Sequence, residues 1–430
     1  MGYRMNAMLD RPIYFIVVLW GERFRGYFLD YCLPSLLAPG NLPALATRTR
    51  SKLLIATTPA DWAALQAAPI FRAASRHVDL ELIEIPPCPP TVSGCEHMGI
   101  GHQRGCMMAH RDRAYAAILT PDCMLSDGSV ARMQELALSG CQLVVVAALR
   151  FGEEKFFSNL RAMGAVPDES RRETGTPLVI TGAQMAGAAG NGLHPETLAY
   201  EWDEPGFLLV GPAAWWRGPD GDGMLVHCLS WAPVLLDYGA IDGHDASTLD
   251  HWTVDGDYLY RNSDTLTNIH VVQDSDEIFL ASWERAAHAP INKHPVPCFG
   301  HLVAKVQFGA NFKSAFYDPL KRRLFFLPVR WHGRELNPKW DALEAQAMRE
   351  LRRYVTPADE TVLAGADGFA EKARRLAGHA LAALFMLLRP VFIVAFHRKA
   401  VWRRLTQAAS GDPAALRRLF WYMRLFVLNK

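Results

Sequence analysis

Residues 13–20 of the chain, IYFIVVLW, form an apolar run rich in β-branched and aromatic side chains, and Gly21 ends it. A run of this length and composition predicts a buried β-strand. Apolar side chains at helical spacing follow over 24–37, and a second strand is predicted at 52–58. The next segment, 58–61, places proline at the first helical position and an acid three residues after a capping threonine. This combination predicts a helix start.

The alternation of strand and helix signals continues to about residue 150. Strands that alternate with helices indicate a parallel α/β sheet with helices on both faces. The remaining predicted elements are strands at 78–85, 114–119 and 141–149, helices at 97–112 and 128–139, and a loop at 120–127.

The chain is longer than a typical single domain, and half of its 430 residues are apolar, as expected of a globular core. The middle of the chain is rich in Gly, Trp, Asp and His and contains only short strand-like pieces, at 177–181, 207–210, 224–229 and 268–272. Binding sites are often built on such loop-rich stretches. We therefore expect one half of an α/β domain at 1–150, the other half of the same α/β domain at 151–300, a connecting segment at 301–364 with an amphipathic helix at 340–354, and a helical tail at 365–430.

The tail differs from the rest of the chain in charge. Residues 372–430 contain 12 Lys and Arg but one acid, Asp412, although the whole chain has a net charge of only +1. Arg389-Pro390 interrupts the apolar run at 376–396, which argues against a membrane span. Basic helices with Leu, Phe and Trp on one face favour an anionic membrane surface as the partner, with a cap docked on the body as the alternative.

No secretory signal peptide is predicted, because the apolar stretch near the start is short and lacks a small-residue cleavage site. The expected location is therefore cytoplasmic, peripheral on the inner face of the membrane, with reduced thiols. Five potential zinc ligands occur within sixteen residues, but none has the tight paired spacing of structural zinc sites, so a helix near a ligand site is favoured. These residues are Cys95, His97, His102, Cys106 and His110.

Three strand ends carry the first candidate site residues. Ligands of open α/β sheets bind at the carboxyl ends of the strands. The first predicted strand ends in Trp20-Gly21-Glu22, the second in Thr57, and the strand at 114–119 is followed by Asp122. A tight turn with an aromatic side chain that could stack on a base, and a carboxylate on the same edge, together indicate a nucleotide site.

The segments GERFRGYFLDYCLPSLL (21–37), KLLIATTPADW (52–62) and AYAAILTPDCMLSDGS (114–129) resemble the nucleotide-binding half of bacterial glycosyltransferases of the GT-A fold. The resemblance covers about 1–150 and implies that this segment is the nucleotide-sugar-binding half, with the acceptor and catalytic half of the same domain at 151–300. It implies a nucleotide-sugar donor whose nucleoside lies on the first strand's loop, and a carbohydrate or lipid-linked acceptor. It also implies an Asp-x-Asp motif after the fourth strand that binds Mg²⁺ or Mn²⁺ and the diphosphate, since these ions prefer carboxylate oxygens.

The chain departs from that motif, because Cys123 and Met124 follow Asp122. Two interpretations stay open. In the first, the mechanism needs no metal, and Arg104 or His102 supplies positive charge to the donor. In the second, a metal is bound by Asp122, or by the alternative pair Asp274 and Asp276, which follows the apolar run at 268–272.

An inverting transferase needs a carboxylate that deprotonates the acceptor hydroxyl. The candidates are Asp255, Asp257 and Glu201, which lie among several tryptophans. Two other function classes remain as alternatives. One is a catalytically inactive membrane-associated scaffold, which the incomplete motif would fit. The other is a different nucleotide-using transferase, although the expected Gly-rich basic phosphate loop is missing near the first strand. No nucleic-acid partner is expected.

Overall fold

The computed structural model describes most of the chain up to residue 354. Its gaps are at 1–8, 168–175, 191, 204–212, 255, 289–304, 306–319 and 321–323. Beyond 354 it describes residues 376, 377, 380 and 384 only, so the rest of the predicted tail, like the predicted strand at 207–210, lies outside the described residues. Within them, no helix is long and apolar enough to cross a membrane.

The described residues contain thirteen strands. Most of the early ones coincide with the predicted strands. The thirteen strands are β1 (Ile13–Val18), β2 (Lys52–Thr57), β3 (Asp79–Glu84), β4 (Tyr115–Leu119), β5 (Cys123–Leu125), β6 (Leu143–Ala147), β7 (Arg150–Gly152), β8 (Ala213–Arg217), β9 (Met224–Cys228), β10 (Trp231–Asp237), β11 (Ile269–Val271), β12 (Leu280–Glu284) and β13 (Val329–Trp331).

The helices of the described residues connect and cover these strands. A π-helical turn, Phe28–Cys32, joins the first two into one continuous helical run. The α-helices are α1 (Gly21–Tyr27), α2 (Leu33–Leu36), α3 (Pro59–Ala67), α4 (Pro69–Ala74), α5 (Gly94–Arg111), α6 (Ser129–Leu138), α7 (Glu153–Ala162), α8 (Gly182–Ala189), α9 (Pro195–Leu198), α10 (Gly256–Arg261) and α11 (Pro338–Leu351).

A mixed seven-stranded sheet forms the centre of the fold, with the order β11-β6-β10-β4-β1-β2-β3. Its strands are parallel to one another except β10, which runs antiparallel to both β4 and β6. The prediction of an α/β sheet flanked by helices is therefore confirmed, and the antiparallel strand is an addition to it. Since β10 and β11 lie beyond residue 150, strands from both predicted halves share this sheet.

The alternation of side chains along β1 supplies both layers of the core. Ile16 and Val18 pack with Cys106 of α5 on one face. On the other face, Phe15 and Val17 pack in a second cluster with helices that include α1 to α4 and α6. A strand buried on both faces reads as a continuous apolar run, which is why IYFIVVLW shows no polar alternation.

Helix α5 lies unusually close to the sheet because glycines face it. A Cβ on Gly101 would stand 2.6 Å from the Cβ of Ala56 and 2.7 Å from a methyl group of Val18, and one on Gly105 would stand 2.8 Å from Ile16. The helix crosses from β3 to β4, so its first turns lie over the carboxyl ends of β1 and β2. Its N-terminal residues are thereby brought to the edge where ligands are expected.

Two small sheets complete the fold. One has the order β5-β12-β7 and extends the region after β4 and β6, and the other has the order β13-β9-β8. A third apolar cluster lies beside the second sheet and includes Trp202, Trp216 and Trp340. Trp340 belongs to α11, so the amphipathic helix predicted at 340–354 is confirmed in place and type.

Two local predictions are wrong. The predicted loop at 120–127 contains β5, which pairs with β12. The apolar segment 177–181 is not a strand: the Leu178 amide donates to the Pro34 carbonyl, the Ile180 carbonyl accepts from the Asp127 amide, and no ladder forms. Thr181 instead caps α8 in a reciprocal capping box with Gln184.

Candidate functional site at the carboxyl edge of the sheet

The loop after β1 forms one wall of the candidate site. Gly21 has a φ of +78°, a conformation that side chains rarely adopt, and it begins α1 immediately after the strand. Its amide donates to Asp61 Oδ2 at 3.0 Å. The Trp20 ring meets the His97 ring edge-on, with centroids 4.8 Å apart. The loop is thus held on one side by α3 and on the other by α5.

Two polar groups beside this loop are buried without a hydrogen-bond partner in the structure. They are the Thr57 hydroxyl, at the end of β2, and Nε2 of His97. Both residues are almost inaccessible, at 0% and 1% exposure. Buried polar groups are nearly always paired, so these two are exceptions, as are Nε2 of His102 and Nε2 of His227 elsewhere in the described residues.

Asp122 lies in the turn between β4 and β5 and is half-buried. Burial raises the pKa of this carboxyl, while the hydrogen bond from Thr120 and the positive charge of Arg150 oppose the rise. Arg150, the first residue of β7, forms an ion pair with Glu284 of β12. The same two charges act on Cys95 at the start of α5, so these groups share one region.

A cavity of about 390 Å³ opens on the other side of the Trp20 loop. Its side chains carry both signs of charge and two phenol rings. The Tyr27 hydroxyl donates to Glu153 Oε2 at 2.5 Å, and Arg285 approaches the same carboxylate at 3.4 Å. Burial and this hydrogen bond raise the pKa of Tyr27. The lining residues are Glu22, Arg23, Gly26, Tyr27, Asp30, Tyr31, Glu153 and Arg285.

Trp283 connects the cavity to Asp122. Its amide donates to the Asp122 carbonyl at 3.2 Å. Its ring packs edge-on against Tyr27 and Tyr31, with centroid distances of 5.7 and 5.6 Å. Four sequence-predicted residues therefore lie around one edge: Trp20, Gly21, Glu22 and Asp122. Thr57 ends the neighbouring strand β2 at the same edge.

The two residues expected to supply positive charge to the donor differ in placement and in charge. Arg104 is exposed and donates to the Glu84 carbonyl at the end of β3, which lies three strand positions from β4, roughly 14 Å by strand spacing. His102 is buried, and burial lowers its pKa to about 4, so it is neutral at neutral pH. The prediction that His102 provides charge is wrong for this physical reason.

The three acids proposed as the base differ in placement. Asp255 lies outside the described residues. Asp257 belongs to α10, although its side chain is outside them too; α10 follows Val254, whose amide donates to Nδ1 of His102 on α5. Glu201 is far from the edge in topology, beside β8, and both its oxygens are engaged by Arg217 at 2.7 Å.

Asp274 and Asp276 form a separate cluster with His332. One ligand atom from each lies within 4.8 Å of the others. His332 Nε2 is 3.0 Å from Asp274 Oδ1. Asp122 is not a member of this cluster, which precedes β12 at the end opposite to Trp283. The structure therefore does not bring Asp274 and Asp276 to Asp122 as one site.

Several residues of the site are not among those predicted from the sequence. Arg150 follows the predicted strand at 141–149 directly, so the strand-end rule that found Asp122 could have found it. No strand is predicted before Glu284 and Arg285, so the same rule could not identify them. Strand β12 forms by pairing with β5 and β7, which are distant in sequence.

Comparison with known protein families finds no family model that matches this chain. Comparison with curated proteins finds no matching relative. The chemistry of the edge is therefore inferred from its own residues.

Proposed function

We propose that this protein is a glycosyltransferase whose mixed sheet forms a GT-A-like domain. It would transfer a sugar from a nucleotide-sugar donor to a carbohydrate or lipid-linked acceptor at the cytoplasmic face of a membrane. One observation carries the proposal. Trp20 after β1, Asp122 after β4 and Arg150 at the start of β7 lie at the carboxyl edge of the sheet, and Trp283 connects Asp122 to a polar cavity of about 390 Å³. Ligands of open α/β sheets bind at this edge.

The donor's two phosphates need positive charge, and this edge offers guanidinium groups. Arg150 lies beside Asp122, while Arg23 and Arg285 line the cavity. Guanidinium groups bind phosphate oxygens in a bidentate geometry and stabilise the charge that develops on a leaving diphosphate. We assign the nucleoside to the Trp20 loop, where the indole could stack on the base, and the diphosphate to the region between Asp122 and the cavity.

A divalent metal does not fit at Asp122. The next two side chains, Cys123 and Met124, are buried in the core, so the turn offers no second carboxylate. The nearest charges are an arginine and its paired glutamate, and burial favours the neutral form of Asp122. A hard cation prefers several charged oxygens. We therefore derive donor activation at this edge from arginine side chains alone.

The cavity also supplies carboxylates for the acceptor. Glu22 from α1 and Glu153 from α7 line it. A positioned carboxylate within reach of the acceptor hydroxyl could act as a general base. Glu153 is held by Tyr27 and Arg285, which fixes its orientation. We assign Glu22 and Glu153 as the acceptor-side candidates at this edge, in place of Glu201, whose oxygens are bound by Arg217.

Replacement of Asp122 tests the proposal. We expect Asp122→Asn to lower sugar transfer by about 100-fold or more, because the charge of Asp122 acts on Arg150, the guanidinium that we assign to the donor diphosphate. Because asparagine has the same shape as aspartate, the melting temperature should change little. The control is Asp79→Asn, an exposed acid at the opposite end of the strands. An Asp122 variant with wild-type turnover would remove the donor assignment.

A further inference from the structure

We propose that Asp274, Asp276 and His332 bind a divalent transition-metal ion at a site separate from the donor edge. The two aspartates follow β11 and the histidine follows β13, so two chain segments distant in sequence supply the ligands. Their ligand atoms lie within 4.8 Å of one another, close enough to share one ion. The inference does not depend on the proposed transferase function.

The two segments are joined by backbone and hydroxyl hydrogen bonds around Ser275. The Ser275 amide donates to the Arg330 carbonyl at 3.0 Å, and the Arg330 amide donates to the Gln273 carbonyl at 2.8 Å. The His332 amide donates to the Ser275 hydroxyl oxygen at 3.1 Å. The ligands are therefore positioned before any ion binds, which lowers the entropy that binding must overcome.

His332 has the orientation of a metal-binding histidine. Its ring is buried, at 3% exposure, and Nδ1 lies 2.8 Å from the Arg334 carbonyl. A carbonyl only accepts, so Nδ1 carries a proton and donates it, and Nε2 is directed at Asp274. Histidine ligands of metals characteristically donate their second ring nitrogen to a carbonyl or carboxylate in this way.

A second set of hydrogen bonds holds the loop that carries this carbonyl. Asp222 accepts from the Gly333 amide at 3.0 Å and from the Arg334 amide at 3.1 Å. Gly182 at the start of α8 packs directly on the Ser275 carbonyl, where a larger residue would not fit. Asp222, just before β9, and Gly182 of α8 thus hold the two segments that carry the ligands. Groups that orient the ligands in this way are typical of metal sites.

The ligand set indicates the class of metal. One imidazole nitrogen with two carboxylates suits Mn²⁺ or Zn²⁺ better than Ca²⁺, which takes six to eight oxygens. Asp276 is exposed, so one side of the cluster faces solvent and water molecules could complete the coordination. The competing explanation is an ion pair between His332 and Asp274 that needs no metal.

Mn²⁺ binding to the full-length protein separates the two explanations. After dialysis against EDTA and then into metal-free buffer, we expect the wild-type chain to bind one equivalent of Mn²⁺, detected as loss of the free-ion electron paramagnetic resonance signal. Asp276→Asn should weaken this binding at least 10-fold, because loss of a group that only orients a metal ligand already weakens binding by about 10- to 100-fold. The backbone amide of Asp276 donates to Asp274 Oδ1, and the substitution leaves this hydrogen bond in place, so the variant should fold.

The matched control is Asp242→Asn, an exposed acid outside the cluster, which should bind Mn²⁺ as the wild type does. The proposal fails if the wild-type chain, mixed with an equal amount of Mn²⁺ at about 100 µM each, leaves nearly all of the ion free, because the dissociation constant would then be far above about 100 µM. It also fails if Asp276→Asn binds Mn²⁺ as tightly as the wild type, because the ion would then lie elsewhere. Sugar transfer is not the readout, so failure of the transferase proposal would leave this result interpretable.

Discussion

Asp61 fixes the loop after β1 to the start of α3. Its carboxylate accepts hydrogen bonds from the Gly21 amide and the Thr58 hydroxyl, at 3.0 and 2.9 Å, and pairs with Arg25 at 2.5 Å. Burial alone would raise the pKa of Asp61, but these partners outweigh it and the pKa is lowered. The charge of one buried acid therefore positions Trp20 and Gly21.

We expect Asp61→Asn to destabilise the protein by about 2 kcal/mol at pH 7, the usual cost of losing hydrogen bonds to a charged group. A lowered pKa in the folded state means that Asp61 stabilises the fold above its ordinary pKa, near 4, and loses this effect as the pH falls through the lower folded value. The difference from wild type should therefore shrink below about pH 4. Urea unfolding across this pH range measures it.

Asp79→Asn provides the comparison for that experiment. Asp79 pairs with Arg50, but both side chains are about half exposed, at 54% and 48%. Exposed ion pairs contribute little to stability, so this variant should unfold almost as the wild type does. Equal destabilisation by the two substitutions would contradict the role given to Asp61.

At the scale of elements, α5 determines how near the candidate site lies to the sheet. Gly101 faces Val18 and Ala56, so the helix rests directly on β1 and β2. This contact brings His97 against Trp20. The position of α5 at the candidate site therefore depends on a residue that has no side chain.

Gly101→Ala tests this packing. The added methyl group would stand 2.6 Å from Ala56, so we expect a loss of about 2 kcal/mol, as for overpacked cores, and weaker donor binding. Gly94→Ala, at the start of the same helix, has open space around the added methyl group and should be neutral or slightly stabilising. Chemical denaturation of both variants measures the difference. A Gly101 variant as stable as the Gly94 variant would show that α5 can move away from the sheet without cost.

The elements that could be predicted from the sequence are those whose local signals agree with their final environment. β1, β2 and α3 show continuous apolar runs and a complete capping signal, and they form as predicted. No strand is predicted from the sequence at β10. This strand contains Pro233, and proline normally argues against a central strand. The strand tolerates it where the register shifts between Pro233 and Leu235.

The candidate site could be predicted only in part, for the same reason. Trp20 and Asp122 follow strands that are evident from composition. Arg285 and His332 reach their sites through β12 and β13, five and three residues long, whose pairing partners are far away in the sequence. Local patterns carry no information on such pairings. The false strand at 177–181 is the converse case, a good strand sequence without a partner.

At the scale of the whole molecule, the sequence places opposite charges in the body and the tail. Residues 372–430 contain 12 basic residues and one acid. Each basic residue near an anionic membrane contributes about 1 kcal/mol, and apolar side chains such as that of Trp421 would add to this by entering the membrane interface. We propose that the tail holds the donor edge near a lipid-linked acceptor.

We expect the full chain to sediment with vesicles that contain anionic lipid and not with neutral vesicles. High salt should weaken this binding without abolishing it, because salt screens charge but not apolar burial. Arg417→Glu with Arg418→Glu should release the protein, whereas Arg48→Glu with Arg76→Glu, two exposed sites on the body, should not. A wild-type chain that stays in the supernatant with every vesicle composition would favour the docked cap instead.

The central claim is that the carboxyl edge binds and cleaves nucleotide sugars. The most direct measurement is release of nucleoside diphosphate by the full-length protein from a panel of nucleotide sugars, with water or added carbohydrate as acceptor. We predict turnover with at least one donor, and its loss in Asp122→Asn but not in Asp79→Asn. No release from any donor in the panel, with and without added Mn²⁺, would contradict the transferase assignment and favour an inactive scaffold.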